Sequence, residues 1–321
     1  MIESILPYVL LVIGFVILLK GADLLVNGSA SIAKRLNIST LVIGLTIVAF
    51  GTSAPELLVN IIAATNNAPD LAIGNVIGSN ISNILLILGV AGLIYPLKIG
   101  KGTVWKEIPF AFLAVIIFGI LVNDGIFEGE TVSYLSRSDG LVLLGFFAIF
   151  MYYTYGISRA SKDEKNTIKV QSYPKSIAYI LLGFIGLGFG SQWVVGGATH
   201  IAEIFGLSES MIGLTIVAIG TSLPELAASG MAAYRKHADM AIGNIVGSNI
   251  FNTLLVLGVT SSITPLRFST HLNSDIIICI IATLLLFLAV FVGKRLKIER
   301  WQSALFLSFY VGYIVYLVMR G

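Results

Sequence analysis

Gly51-Thr-Ser-Ala-Pro-Glu56 is written a second time as Gly220-Thr-Ser-Leu-Pro-Glu225. The duplication extends to both sides. Ile43-Gly-Leu-Thr-Ile-Val-Ala49 returns as Ile212-Gly-Leu-Thr-Ile-Val-Ala218. Gly74-Asn-Val-Ile-Gly-Ser-Asn-Ile-Ser-Asn83 returns as Gly243-Asn-Ile-Val-Gly-Ser-Asn-Ile-Phe-Asn252. The offset is 169 throughout, so neither copy has gained or lost a residue. Each copy sets one glutamate beside a proline inside an otherwise apolar segment. Interrupted hydrophobic segments at corresponding places in two halves of a chain point to an ion site in a transporter.

Hydrophobic residues make up 56% of the 321-residue chain and charged residues 12%. So few charges cannot cover a soluble domain of this length, and the apolar residues fall in runs near the ~20 needed to cross a bilayer. The chain reads as a polytopic membrane protein, and no nucleic-acid partner is expected. Cys279 is the single cysteine and lies in an apolar run, which excludes a disulfide framework and a cysteine-rich metal site. His200, His237 and His271 are scattered, with none at metal-ligand spacing.

Ten spans are expected, at roughly 4–33, 39–64, 70–93, 108–123, 139–157, 176–205, 210–234, 239–262, 274–293 and 302–319. Sixteen of the twenty Lys and Arg residues fall in one set of alternate loops; Arg137, Arg267 and Arg320 fall in the other, and Lys20 lies inside the first span. That bias places the first set in the cytoplasm and both termini outside. Five spans per half is an odd number, so the second copy must insert upside down. The predicted fold is an all-α membrane protein of ten transmembrane helices in two inverted-topology five-helix repeats. The repeats are 1–157 and 176–321, helices two and seven are broken, and 158–175 is a cytoplasmic linker. Asp70 and Asp239 stand just before spans three and eight and are expected to cap them. Lys20 and Asp23 are three apart and are expected to neutralise each other on one helix face.

The chemistry lies in the duplicated motifs. Pro55 cannot donate to the Gly51 carbonyl and its ring crowds it, so the helix should kink there and free carbonyl oxygens. Unpaired backbone at membrane depth is tolerated only where protein or a watery cavity satisfies it, and bound cations would do so. Glu56 sits mid-span, where an ionised carboxylate is costly. The same holds for Gly220, Pro224 and Glu225. In spans three and eight, Asn75, Ser79 and Asn83 recur every four residues, as do Asn244, Ser248 and Asn252, each set forming one polar stripe. Asn75, Asn80, Asn244 and Asn249 read as interhelical hydrogen-bond partners. Ser79, Asn83, Ser248 and Asn252, the deepest, read as site residues. Every candidate ligand is oxygen, which suits Ca²⁺ and Na⁺ and not zinc or copper. Two glutamates carry a charge that one Ca²⁺, two Na⁺ or two protons would balance.

These paired signatures resemble the sodium/calcium exchanger branch of the cation/calcium antiporter superfamily, especially its prokaryotic members, over all ten spans. The resemblance implies two inverted repeats, a site between spans two, three, seven and eight, and alternating access in which Na⁺ influx drives Ca²⁺ out across a prokaryotic cell membrane. Carried over by motif, Glu56 and Glu225 bind Ca²⁺ and Na⁺ in competition, and Thr52 and Thr221 give backbone oxygen to Ca²⁺. Ser53, Ser79, Ser222 and Ser248, with the carbonyls of Ala49 and Ala218, complete Na⁺ sites, while Asn83 and Asn252 line the centre. Spans one and six become sliding gates. The ions are cargo; no cofactor and no enzymatic activity are expected, and the chain is expected to act as a monomer. Asn252 departs from the pattern, since many sodium/calcium exchangers have aspartate there, and asparagine in both copies is more like the proton/calcium branch. An intramembrane hydrolase would need a base or a His-held metal near the motifs, and no histidine lies near either.

Overall fold

The computed structural model describes residues 2–160, 170–205, 218–294 and 296–320. The helices that organise it are α1 (Ile2–Leu36), α2 (Thr40–Thr52), α3 (Ala54–Thr65), α4 (Pro69–Ile94), α5 (Thr103–Leu121), α6 (Arg137–Ala160) and α7 (Tyr173–Ile204). The chain continues through α8 (Ala218–Thr221), α9 (Leu223–Tyr234), α10 (Ala238–Ile263), α11 (Asn273–Ala289) and α12 (Arg300–Arg320). Among the described residues, eight helices are long and apolar enough to cross a membrane, and α2 with α3, bent by 42° at Ser53, makes a ninth. Of the expected span 210–234, residues 210–217 lie outside the described residues, and α8 and α9 form the remainder. Most of the expected linker, 161–169, also lies outside them.

Helices α4 and α10 form the centre: 72% and 89% of their most apolar stretches are buried, against 22–39% for the other spanning helices. The outer helices keep large apolar faces exposed, as Val12, Phe15, Val16 and Leu19 of α1 show. Such faces are what a lipid-embedded helix presents. Cys279 is buried, so it is core packing and not lipid-facing.

In lipid, apolar area alone does not hold helices together, and close backbone approach must do so. Helices α1 and α7 meet this need with glycine at every seventh residue. Gly14 faces Gly190, Gly21 faces Gly183, and Gly28 faces Ser176, so the two helices run antiparallel in one fixed register. A Cβ on Gly21 would stand 2.8 Å from the Leu187 nitrogen and 3.0 Å from the Gly183 oxygen. A strict seven-residue repeat keeps the seam in contact along a left-handed supercoil. With 35 and 32 residues, these helices reach about 50 Å at ~1.5 Å per residue and outrun a ~30 Å hydrocarbon core.

The two halves share local detail that the motifs did not announce. Helices α3 and α9 both end in a left-handed residue, Asn67 at φ 57° and Lys236 at φ 63°. In each, two backbone bonds close a Schellman turn: Ala68 N–H to the Ala63 oxygen (2.8 Å) and Asn67 N–H to the Ala64 oxygen (3.2 Å), then His237 N–H to Ala232 (2.8 Å) and Lys236 N–H to Ala233 (2.9 Å). Helix α4 carries a π-helical turn at Asn83–Ile87 and α10 one at Phe251–Val256. Four short strands, β1 (Leu97–Lys98), β2 (Ser133–Leu135), β3 (Leu266–Phe268) and β4 (Lys297–Ile298), pair antiparallel as β1 with β4 and β2 with β3. Each pair joins one half of the chain to the other.

Two expectations are corrected. The N-cap positions of α4 and α10 are Ala68 and His237, neither with a side-chain cap, because the turns that close α3 and α9 start the next helices at Pro69 and Ala238, one residue ahead of the aspartates. Asp70 instead accepts from Ser269 Oγ at 2.7 Å, and Asp239 lies in the first turn of α10. Asp23 does not pair with Lys20. The guanidinium of Arg235, arriving from the end of α9, binds it at 2.6 Å, and Asn27 donates to it from the next turn. A forked guanidinium outcompetes a flexible ammonium for one carboxylate.

The glycine seam gives a direct test. Gly21→Leu should lower the melting temperature of the purified protein, because overpacking costs about 1–3 kcal/mol. Gly188→Leu, where a Cβ meets no described atom within 4 Å, should leave it within a degree or so. Equal effects from both would show that the seam does not hold the pair.

Candidate cation site at the centre of the bundle

Both duplicated motifs break their helix at the serine. Ser53 stands at φ −87°, ψ 4° and Ser222 at φ −85°, ψ 2°, and a new helix starts immediately after each. Pro55 and Pro224 fall in the first turn of those helices, where a missing N–H costs nothing. Glu56 and Glu225 follow in the same turn. There the positive end of the helix dipole favours a carboxylate. Both are shut off from solvent, at 0% and 1% exposure.

Hydrogen bonds within and between the halves fix the frame. Asn75 donates to Asn60 (2.9 Å) and Asn244 to Ser229 (2.9 Å). Thr52 donates to the Asn244 oxygen (3.2 Å), and Thr221 to the Asn75 oxygen (3.4 Å). Asn80 donates to Thr253 (2.8 Å). The asparagines expected as interhelical partners act as such. The Ala49 carbonyl accepts both the Ser53 N–H (3.0 Å) and the Thr52 hydroxyl (3.3 Å). Ala218 opens α8, two residues outside the second break's Gly220.

Around this frame six of the candidate site residues divide into two sets. Glu225 accepts from Ser53 (3.0 Å), Ser79 from Ser222 (3.4 Å), and Asn83 donates to Asn249 (2.9 Å). Their repeat mates are Glu56, Ser248 and Asn252. Both Glu56 oxygens, the Ser248 hydroxyl and both amide atoms of Asn252 are buried and have no hydrogen-bond partner among the described residues. The second oxygen of Glu225 and the amide oxygen of Asn83 are also unpartnered. The unpartnered set belongs to α3 and α10, and the π-helical turn that starts beside Asn252 packs against α3. Leaving one buried polar group unpaired costs about 1–3 kcal/mol. Such a concentration of orphaned oxygens fits a desolvated cation, whose charge and coordination would satisfy them. Among the described residues there is no group of three or more His, Cys, Asp and Glu side chains placed to hold one metal ion. The donor set is therefore two carboxylates plus neutral oxygens, the hard-cation pattern.

Some contributors escaped the sequence reading. Asn60 and Ser229 each stand four residues after the motif glutamate, on the same helix face, at equivalent places in the two copies; that spacing was a usable signal. The π-helical turns had none. A cavity of about 430 Å³ is lined by Asn75, Ser79 and Thr221 of the frame and also by Asp70, Asp275 and Arg320. Asp275 is buried there in an ion pair with Arg320 (2.8 Å) and accepts from the Tyr313 hydroxyl (3.2 Å).

A multi-pass helical membrane protein with a buried, oxygen-lined centre between duplicated broken helices is built as an ion transporter. The sodium/calcium exchanger protein family matches the chain over residues 6–156 and 175–319. The chain is 31% identical over 347 residues to the sodium/calcium exchanger MaX1 of Methanosarcina acetivorans, covering 97% of this chain and 98% of that one. It is 35% identical over 291 residues to the inner membrane protein YrbG of Escherichia coli, covering 86% and 87%. Its structure resembles that of the sodium-calcium exchanger NCX_Mj soaked without Na⁺ and Ca²⁺, with a TM-score of 0.84 at 36% identity over 97% of this chain and 99% of that chain. The chain belongs to the sodium/calcium exchanger family.

The two sets of residues predict opposite behaviour. Asn252→Ala removes an unpaired buried amide, so the ion-free protein should keep or gain thermal stability. It should also lose about tenfold in Ca²⁺ affinity, of the order expected for one polar contact to a charge. Asn83→Ala breaks a made hydrogen bond and should lower ion-free stability. Melting curves with and without Ca²⁺ separate the two; a stability loss at Asn252 would mean it is packing, not a ligand.

Proposed function

We propose that this protein exchanges Na⁺ for Ca²⁺ across a prokaryotic cell membrane by alternating access. Its ten helices form two inverted five-helix repeats, both termini lie outside, and the protein works as a monomer without a cofactor. The ions bind at Glu56, Glu225, Thr52, Thr221, Ser53, Ser222, Ser79, Ser248, Asn83 and Asn252, with the Ala49 and Ala218 carbonyls. The observation that carries this reading is the set of unpartnered oxygens centred on Glu56, buried where an uncompensated carboxylate is costly. Relatives named as sodium/calcium exchangers support the choice of ions.

Two carboxylates, with no third acid beside them among the described residues, make the site doubly negative when both are ionised. One Ca²⁺ neutralises it, and so do two monovalent cations, so the two loads exclude each other. That exclusion is the basis of exchange: the empty ionised site is the state the low-dielectric interior resists. Neutral asparagine at both 83 and 252 favours a second reading, in which protons replace Na⁺ as the counter-ion.

The deciding experiment is ⁴⁵Ca²⁺ uptake into proteoliposomes loaded with Na⁺ and diluted into Na⁺-free buffer, with pH held equal on both sides. Uptake should vanish when K⁺ or choline replaces internal Na⁺, and should vanish in Glu56→Gln and Glu225→Gln proteins that still fold. Uptake that needs an imposed pH gradient would select the proton reading. Asn252→Asp adds a third acid to the site and should change the Na⁺ or pH dependence of uptake; an unchanged dependence would remove Asn252 from the ion path.

A further inference from the structure

An apolar crevice of about 390 Å³ opens between α1, the end of α4 and α9, lined by Phe15, Leu19, Ile94, Leu226, Gly230 and Met231, with Tyr234 at one end. Phe15, Leu19 and Ile94 are 41–53% exposed, so the crevice faces the bilayer and not the protein interior. At about 30 Å³ per water-sized unit it holds on the order of a dozen methylenes, enough for the upper part of one acyl chain. Apolar fit alone selects nothing, because every lipid tail is equally apolar. The selection lies at the rim.

Each wall of the crevice carries a cation at the same end. On α1, Lys20 follows the lining residue Leu19; it is exposed and has no ion pair or hydrogen bond among the described residues. On α9, Arg235 and Lys236 follow Tyr234, and Arg235 is held to α1 by Asp23 (2.6 Å). Beside α4, Arg300 donates through Nε to the Leu93 oxygen (3.1 Å), next to the lining residue Ile94. Among the described residues Asp23 is the acid paired at this rim, and Arg235 neutralises it. Tyr234 is 68% exposed between the apolar wall and the charges, the position interfacial tyrosines take at headgroup depth.

We infer that this crevice is a binding site for an anionic phospholipid of the leaflet on the Arg235 side. One acyl chain lies between α1 and α9, and the phosphate sits among Lys20, Lys236 and Arg300. The inference does not depend on which ion the protein exchanges. A lipid seated there also bridges α1 to the central helices next to the Asp23–Arg235 pair.

The probe is phosphatidylglycerol in a phosphatidylcholine background, with retained lipid counted by native mass spectrometry of the whole protein. Wild type should retain one phosphatidylglycerol in preference to phosphatidylcholine. The Lys20→Gln and Lys236→Gln proteins, altered only at exposed positions, should each lose about fivefold of that preference, since a basic residue near the headgroups contributes on that scale. Gly230→Leu should lose the bound lipid: a Cβ there meets only Ile94 Cδ1, at 3.7 Å, among the described residues, so the side chain can fill the crevice without displacing backbone. Equal retention of both lipids by wild type, unchanged preference in both lysine variants, or an undiminished phosphatidylglycerol adduct in a Gly230→Leu protein of normal melting temperature would each overturn the site. So would a lipid-free dimer, which would make a second copy the occupant.

Discussion

Two carboxylates buried between the helices of a membrane protein are the constraint on which the rest of this structure depends. An ionised glutamate there costs several kcal/mol unless charge or hydrogen bonds compensate it. The protein supplies part of that compensation through geometry. Each glutamate occupies the first turn of a helix begun by a break, so backbone dipoles point at it. The break needs a residue that can end one helix and a proline that can start the next, which the Ser53–Pro55 and Ser222–Pro224 segments provide. The polar stripes of α4 and α10 then have to reach the centre. That requires these two helices to be the most buried of the bundle, and they are.

The compensation is unequal in the two halves. Ser53 donates to Glu225, Ser222 to Ser79, and Asn83 to Asn249, while Glu56, Ser248 and Asn252 have no partner among the described residues. The residues concerned are the same types at the same spacing, but their neighbours are not: Asn80 donates to Thr253, whose repeat mate is Ile84, and Ser82 stands where the second copy has Phe251. Glu225, Ser79 and Asn83 make hydrogen bonds whose counterparts at Glu56, Ser248 and Asn252 are not formed among the described residues.

How much of this was legible follows from the same physics. The duplication, the polar stripe and the proline break are properties of spacing along one chain, and they point to the candidate site residues. Asn60 and Ser229 were legible in principle, since four residues after a buried glutamate is the same helix face. The Asp23–Arg235 pair was not, because a local rule favoured Lys20 at three residues and the true partner is 212 positions away. Helix caps failed for a similar reason: aspartate is a good N-cap, but the Schellman turns at Asn67 and Lys236 set where α4 and α10 begin.

The glycine seam between α1 and α7 is the instructive omission. Gly14, Gly21 and Gly28 were in plain view, as were Gly183, Gly190 and Gly197, yet each set read alone is a scatter of small residues in an apolar run. Its meaning needs the antiparallel partner, in which each step of seven up one helix is met by a step of seven down the other. Once the pair is formed, most of the close contacts are to backbone atoms or to Cβ atoms, which have little freedom to yield. Sliding either helix alone would drive Cβ-bearing residues into those close approaches. The seam therefore makes α1 and α7 one stiff unit, and any movement of α1 past α9 must carry α7 with it. The contacts that would have to give are then the ones outside the seam, of which the Asp23–Arg235 pair is the ionic one and the apolar crevice beside it the softest.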